Sequence, residues 1–409
     1  MNNKIIKRNI VDQIIKYINT DNIIVLHGAR QVGKTYIIYY LQNFLKSKNE
    51  LNYFIDLEDG RMVEVLDDGI DSFLLFFKNQ GFNLEKIKNQ NKKLFVFIDE
   101  IQYLSNPSSL LKLLIDHHKY IQLIVSGSSS FNIKSKFSDS LVGRTVDFEI
   151  FNLSFNEFLK FKNINYNLSN ALTDFHLHKI IKLYKEYIFF GGYPKIVLED
   201  SIEKKERYIQ QIIDTYIKKD IRDLANIKNI KKFNNLLRTL AEQSGQLLNI
   251  STIANACSLA KQTVEDYLFI LENTYIIKLI SPFSSSAKVE VVKTPKIFFF
   301  DTGLLQMLWL KNTQQNLIGN IFETSIFTEL TKKYGSANIN FWRNRNQNEI
   351  DFILSYKNKI LPIEVKINFN SFKTSSMSSF CNKYKVKQYK VVGLNGKKQN
   401  KNYIYPWEL

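Results

Sequence analysis

Gly28-Ala29-Arg30-Gln31-Val32-Gly33-Lys34-Thr35 fits the pattern G-x-x-x-x-G-K-[ST], behind the apolar run Ile24-Val25-Leu26 and ahead of a helix-compatible stretch over 36–46. The chemistry this spacing serves is phosphate binding. Gly28 and Gly33 let the backbone turn sharply, so that successive N–H groups point at phosphate oxygens. Lys34 can reach the β- and γ-phosphates and Thr35 offers a hydroxyl to Mg²⁺. A helix opening near Lys34 adds the positive end of its dipole. Residues 28–36, with Ala29, Arg30, Gln31 and Val32 between the glycines and Tyr36 at the far end, are therefore expected to bind ATP together with Mg²⁺.

A phosphate loop needs a carboxylate partner, and Lys93-Leu94-Phe95-Val96-Phe97-Ile98-Asp99-Glu100 supplies one. Five apolar residues ending in Asp-Glu fit the Walker B pattern of P-loop ATPases. A continuous apolar run suits a strand buried on both faces of a parallel sheet. Asp99 is expected to hold Mg²⁺ and Glu100 to orient the attacking water. The plain alternative is a solvated strand end, disfavoured by a phosphate loop expected on a neighbouring strand. A further strand over 121–125 ends in Ser126-Gly127-Ser128-Ser129-Ser130, where Ser126 or Ser128 could sense the γ-phosphate. Arg144, in Ser140-Leu141-Val142-Gly143-Arg144, is a candidate arginine finger in cis or in trans.

A second constellation lies near the C-terminus. Glu349-Ile350-Asp351-Phe352-Ile353-Leu354 and Leu361-Pro362-Ile363-Glu364-Val365-Lys366 should pair as a hairpin. With Lys357 and Asn358 in the turn, Asp351 stands opposite Glu364; with Asn358 and Lys359 there, it faces Lys366. Either register keeps Asp351, Glu364 and Lys366 on one face, because strand side chains alternate. Asp plus Glu-x-Lys on one face resembles the acidic core of PD-(D/E)xK nucleases. That resemblance implies Asp351 and Glu364 as Mg²⁺ ligands, Lys366 as the group that activates water, and Glu323 as a supporting acid. Ile350 stands where a proline often precedes the aspartate. An ordinary amphipathic hairpin is the bland reading of the same residues.

The elements that must carry these groups can be read in outline. Apolar residues at helical spacing over 5–18 predict an amphipathic helix, and a second strand is expected over 52–57. Residues 62–90 and 151–230 read as mostly helical. A turn at Phe189-Phe190-Gly191-Gly192-Tyr193-Pro194 interrupts the second stretch, and its simplest role is structural. A basic helix from Glu203 through Asp223 reads most safely as a solvated face. Over 232–280 a helix from Phe233 to Gln243, a short helix with a serine cap near Ser251 and a helix from Lys261 to Asn273 suggest a winged helix. Lys261, Gln262 and Thr263 fall where a recognition helix reads bases, although such units also serve as scaffolds. Strands over 276–279 and 289–292 would form the wing.

The length of 409 residues implies two or three domains. The formal charge of +17 suggests a polyanionic partner, DNA or RNA, but it is spread diffusely over a Lys-, Asn- and Ile-rich chain. Cys257 and Cys381 are the only cysteines, which excludes a Cys-rich zinc site and argues against a disulfide. No apolar run approaches the ~20 residues that span a bilayer. The N-terminus lacks an apolar signal core. A cytoplasmic location and no membrane partner are expected.

The order of these motifs, from Gly28–Thr35 through Phe97-Ile98-Asp99-Glu100-Ile101-Gln102, Gly143-Arg144, Gly191-Gly192-Tyr193-Pro194 and Phe322-Glu323 to Glu364-Val365-Lys366, resembles the prokaryotic AAA-type ATP-binding proteins whose C-terminal half is a conserved domain of unknown function. The resemblance covers essentially the whole chain. It implies an α/β architecture: an AAA-like P-loop domain over 1–160, a helical connector over 161–230, a winged-helix-like domain over 231–300 and a restriction-endonuclease-like domain over 301–409. The expected function is a Mg²⁺-dependent ATPase whose cycle controls a C-terminal nucleic-acid-binding or nuclease-like module. The alternatives are a nucleotide-dependent switch that binds DNA or a protein partner without cutting, and an ATP binder without turnover. A homo-oligomer is expected only insofar as Arg144 acts in trans.

Overall fold

The computed structural model describes residues 5–127, 141–166, 168, 173–215, 217, 227, 229–284, 294–313, 317–344 and 346–409. They form two compact units, Met1–Phe151 and Asn152–Leu409.

The first unit opens with a single turn of helix, α1 (Val11–Ile14), continued by a 3-10 turn over Ile15–Tyr17. The helix expected over 5–18 is thus much shorter. Ile10 precedes it without a side-chain cap, and the segment is instead held by Arg8, whose Nη1 donates to the Val32 carbonyl at 2.9 Å and Nη2 to that of Phe151 at 2.9 Å. There follow β1 (Ile23–His27), α2 (Lys34–Ser47), β2 (Leu51–Asp56), α3 (Gly60–Asp67), α4 (Ile70–Asn79), α5 (Leu84–Asn89), β3 (Leu94–Asp99), α6 (Pro107–His117), β4 (Ile121–Gly127) and β5 (Thr145–Glu149). The strands make one sheet in the order β2-β3-β4-β1-β5, every pair parallel. Leu94, Phe95, Val96, Phe97 and Ile98 are fully buried, as a strand covered on both faces must be. β4 lies between β1 and β3, so the loop strand and the Asp-Glu strand are not adjacent, contrary to the expectation of neighbours. Gln122 shows why a polar residue sits in a central strand. Its Nε2 donates to the Tyr17 carbonyl at 2.8 Å, and its Oε1 accepts from the Asn19 N–H at 2.8 Å, tying the first segment to the sheet.

The second unit begins with helices α7 (Phe155–Phe161), α8 (Asp174–Phe190), α9 (Pro194–Val197) and α10 (Ile202–Ile212). Residues 216 and 218–223 of the expected basic helix lie outside the described residues. Next come α11 (Ile230–Glu242), α12 (Ile250–Cys257), α13 (Lys261–Asn273), β6 (Ile277–Ile280) and β7 (Lys296–Phe299), the two strands antiparallel. α12 is capped by the Asn249 side chain, which accepts from Thr252 N–H, and not by serine. The strand expected over 289–292 is outside the described residues; the partner of β6 is 296–299, hidden from the sequence reading by its continuous apolar character. After α14 (Thr302–Leu310) and α15 (Gly319–Tyr334) come β8 (Ile339–Arg343), β9 (Glu349–Tyr356), β10 (Lys359–Asn368), α16 (Ser375–Tyr384), β11 (Lys390–Asn395) and β12 (Tyr403–Ile404). Their sheet runs β12-β11-β10-β9-β8. The β9–β10 hairpin takes the first of the two expected registers, with Tyr356 paired to Lys359. Lys357 and Asn358 both have positive φ, 49° and 60°, the geometry of a type I′ turn that matches strand twist.

Candidate functional site

β1 delivers the chain to Gly28 beside the end of β5, where Ile150 N–H donates to the His27 carbonyl at 2.7 Å. A Cβ at Gly28 would lie 2.1 Å from the Ile150 carbonyl oxygen. Close strand packing therefore demands this glycine as much as phosphate access does. Gln31 and Gly33 both take positive φ (63° and 96°), which curls the loop before α2 starts at Lys34. Ala29 and Val32 bury their side chains in the core, leaving only their backbone groups for a ligand. Tyr36, the third residue of α2, is 57% exposed.

Lys34 is only 5% exposed, and its Nζ donates to the carbonyls of Gly28 (3.0 Å) and Ala29 (2.9 Å). Burial depresses its pKa to about 8, with Glu100 and Asp99 opposing. Phosphates brought beside the ammonium favour the charged form, so binding ATP should take up a proton when Lys34 is neutral. ATP affinity is expected to fall as pH rises through about 8, approaching about tenfold per unit well above it. Nucleotide titrations between pH 6.5 and 9.5 measure this; a flat profile would sink it.

Asp99, at the end of β3, is the junction of the site. Thr35 Oγ1 donates to its Oδ2 at 2.6 Å, and Ser126 Oγ, fully buried at the end of β4, donates to its Oδ1. The Glu100 N–H in turn donates to Ser126 Oγ at 3.3 Å. Ser126 thus holds the Asp99 carboxylate and the next backbone group, a positioning task that the sensor reading did not include. Ser128 lies outside the described residues. Glu100 itself has φ 56° and ψ 49°, a left-handed conformation that costs a non-glycine residue about 1–2 kcal/mol. Strain of this kind at a strand end marks sites where the direction of one side chain matters. Its Oε2 accepts from Gln102 Nε2, a residue of the same motif to which the sequence reading gave no role.

The Thr35 hydroxyl and the Asp99 carboxylate share a hydrogen bond and so face one point, with hard oxygen donors of the type Mg²⁺ takes. These two residues fit the ion; bound there, it would neutralise developing phosphate charge. Arg144 is placed elsewhere. It precedes β5, and its carbonyl accepts from Ile23 N–H (2.9 Å) at the start of β1, the opposite end of the sheet from the loop. Its guanidinium pairs with Asp116 at 2.8 and 3.1 Å. A finger acting in cis is therefore corrected: parallel pairing fixes Arg144 a full strand length from residues 28–33.

At the C-terminal cluster, the β9–β10 ladder runs to Phe352 and Ile363, and beyond it Asp351 Oδ2 accepts the Val365 N–H at 2.7 Å. Lys366 Nζ lies 2.7 Å from Glu364 Oε1 and 3.9 Å from Asp351 Oδ2. The three residues do share one face. Glu323, from α15, is bound instead by Lys296 of β7 at 3.2 Å, and the same ammonium sits 2.6 Å from Glu349. Arg343 is 3.5 Å from Glu349. Burial and the neighbouring Asp351 carboxylate push Glu364 to about 7 and Glu323 to about 8. Burial works against the Lys296 ammonium, yet Glu323, Asp351 and Glu349 outweigh it and hold its pKa above the ordinary lysine value. Lys296 carries no motif; its only signal was a lone cation beside the apolar run Ile297-Phe298-Phe299.

Comparison with known proteins finds matches along most of the chain. Residues 20–159 match the family described as AAA domain. Residues 181–316 and 318–408 each match a domain of unknown function, DUF8612 and DUF4143. The chain is 28% identical over 366 residues to an uncharacterized protein of Methanocaldococcus jannaschii (88% of this chain, 77% of that one). It is 26% identical over 389 residues to one of Haemophilus influenzae (93% and 91%). Among solved structures it is similar to Cdc6p from Pyrobaculum aerophilum, with 13% identity, 77% and 98% coverage and a TM-score of 0.33. It is also similar to AMPPCP-bound DnaA from Aquifex aeolicus, with 20% identity, 64% and 86% coverage and a TM-score of 0.29. The match to the AAA domain thus covers most of the first unit, including the loop over 28–35, the end of β3 and the whole of the parallel sheet. No helix among the described residues is long and apolar enough to cross a membrane.

Proposed function

We propose that this chain is a Mg²⁺-dependent ATPase whose nucleotide cycle controls the unit from Asn152 onward. The observation that carries the reading is the joint at Asp99: one carboxylate bonded to the loop's Thr35 and to Ser126, with Glu100 turned out beside it. In this mechanism the loop's backbone N–H groups and Lys34 hold the β- and γ-phosphates, Thr35 and Asp99 hold the metal, and Glu100 accepts the proton of the attacking water. Phosphate release measured with and without DNA, RNA and candidate protein partners tests it. Turnover that survives Lys34→Ala would remove it.

For the controlled unit, the succession α11, α12, α13, β6 and β7 supports a winged-helix-like reading, with Lys261 and Gln262 exposed at the start of α13. A nucleic-acid-binding module fits this and the charge of +17. Two readings of the carboxylate cluster remain, a metal nuclease and a switch that binds without cutting. The second is favoured by one observation: Lys296 and Lys366 already occupy the carboxylates. Mg²⁺-dependent nicking of DNA by wild type, compared with Asp351→Ala and Glu364→Ala, separates them; no cleavage in any nucleotide state is expected. An oligomer in which Arg144 acts in trans requires that arginine to leave Asp116, and a strictly monomeric protein with full ATPase activity excludes it.

A further inference from the structure

We propose that the Lys296 ammonium fills the cation seat of the C-terminal carboxylate cluster, so that Glu323, Glu349 and Asp351 are neutralised from within the chain and the site takes no divalent metal ion. This rests on the non-cutting reading given above and names the residue responsible for it.

Carboxylates taken out of water require a compensating cation, either a metal or a protein side chain. Lys296 is 3% exposed, and its Nζ lies 3.2 Å from Glu323 and 2.6 Å from Glu349, with the Phe341 ring 5.6 Å away. The ammonium is not carried on a loose surface arm. Lys296 pairs with Ile280 in the β6–β7 ladder and bridges to Leu247, so its backbone is held from both sides. On the other side of Asp351, Lys366 takes Glu364 and reaches Asp351. The cluster therefore sets Glu323, Glu349, Asp351 and Glu364 against Lys296, Lys366 and Arg343. The one excess negative charge is met by a proton near neutral pH, in keeping with the raised pKa values of Glu323 and Glu364.

Mg²⁺ or Mn²⁺ would need several oxygens converging at about 2.0–2.1 Å. Among the described residues no group of three or more His, Cys, Asp or Glu side chains is placed to hold a metal. Glu364 Oε2 is buried without a hydrogen-bond partner, but one carboxylate oxygen does not make an octahedral site. The arrangement has the carboxylates of a metal centre and a lysine where the ion would stand.

The test is calorimetric titration of the full chain with MnCl₂ in the absence of nucleotide. Wild type and Asp351→Asn should give the same isotherm, because Asp351 binds no ion. Lys296→Met, which keeps the length and removes the charge, should gain a Mn²⁺ site at least about tenfold tighter than any in wild type. Adding Glu323→Gln to that variant should abolish the gain. Wild-type Mn²⁺ binding that Asp351→Asn removes overturns the proposal, and so does a folded Lys296→Met protein with no gain. If Lys296→Met does not fold, the wild-type and Asp351→Asn comparison decides alone. Nicking is scored separately: cutting of DNA sinks the non-cutting reading, whereas Mn²⁺ binding through Asp351 without cutting sinks the lysine seat only.

Discussion

Glu100→Gln is expected to bind ATP about as well as wild type and to hydrolyse it about 10²–10⁴-fold more slowly, the range for losing a positioned general base. The substitution keeps side-chain size and removes only the charge that accepts a proton from water. Binding should survive because the phosphate contacts are expected from Lys34 and the loop, and the metal contacts from Thr35 and Asp99, none of which Glu100 touches by hydrogen bond. The backbone bond from Glu100 N–H to Ser126 Oγ is also kept. Losing a charge near Lys34 weakens the support for its ammonium slightly, so affinity should drop at most a few-fold. Phosphate release under single-turnover conditions, alongside equilibrium binding of a labelled nucleotide, separates the two effects. Hydrolysis at the wild-type rate would remove Glu100 from the reaction, and equal losses in binding and turnover would make its role structural.

The largest stability effect is expected at Gly191, where alanine should destabilise the second unit by about 2–4 kcal/mol. Two independent strains combine there. Gly191 has φ 77°, which L side chains avoid, and an added Cβ would lie 2.2 Å from Asp301 Oδ1. Asp301 cannot easily yield. It is 4% exposed, accepts N–H groups from Gly192 and Leu304 at 2.9 Å each, and also takes the Asn152 side-chain amide. Its carboxylate thereby caps α14 and pins the Gly-Gly turn in one stroke. Burial raises its pKa despite those donors. Gly303, next to it, is as tight, since a Cβ there would meet the Phe190 carbonyl at 2.4 Å. Urea unfolding of wild type and Gly191→Ala reads the loss; a change below about 0.5 kcal/mol, the size of an ordinary surface substitution, would show that the turn relaxes freely. The structural reading of Gly191-Gly192-Tyr193-Pro194 thus acquires a cause, a buried aspartate more than a hundred residues downstream.

The N-terminal site was legible because its chemistry is local. A phosphate loop is built from consecutive backbone groups, and an Asp-Glu pair at a strand end declares itself by the apolar run before it. Boundaries of β3 and α13 were therefore close to those observed. What stayed hidden depends on residues far apart in the chain. Arg8 reads as a surface charge until the carbonyls of Val32 and Phe151 are found beside it. Arg144 reads as a finger in cis until parallel pairing puts it at the far end of the sheet from its own loop.

By itself the sequence predicted a phosphate loop and an Asp-Glu strand end, and it determined that Asp351, Glu364 and Lys366 share a face, because period-two alternation holds in either hairpin register. Tertiary structure decided the register, through the left-handed turn at Lys357 and Asn358. It also decided the partners of each charge. A carboxylate's chemistry depends on which cation reaches it, and no spacing rule joins Lys296 to Glu323 or Ser126 to Asp99. Those contacts exist only once separate strands and helices are packed, and they distinguish the Asp99 carboxylate, bonded to Thr35 and Ser126, from the cluster at Asp351, where lysines face the carboxylates.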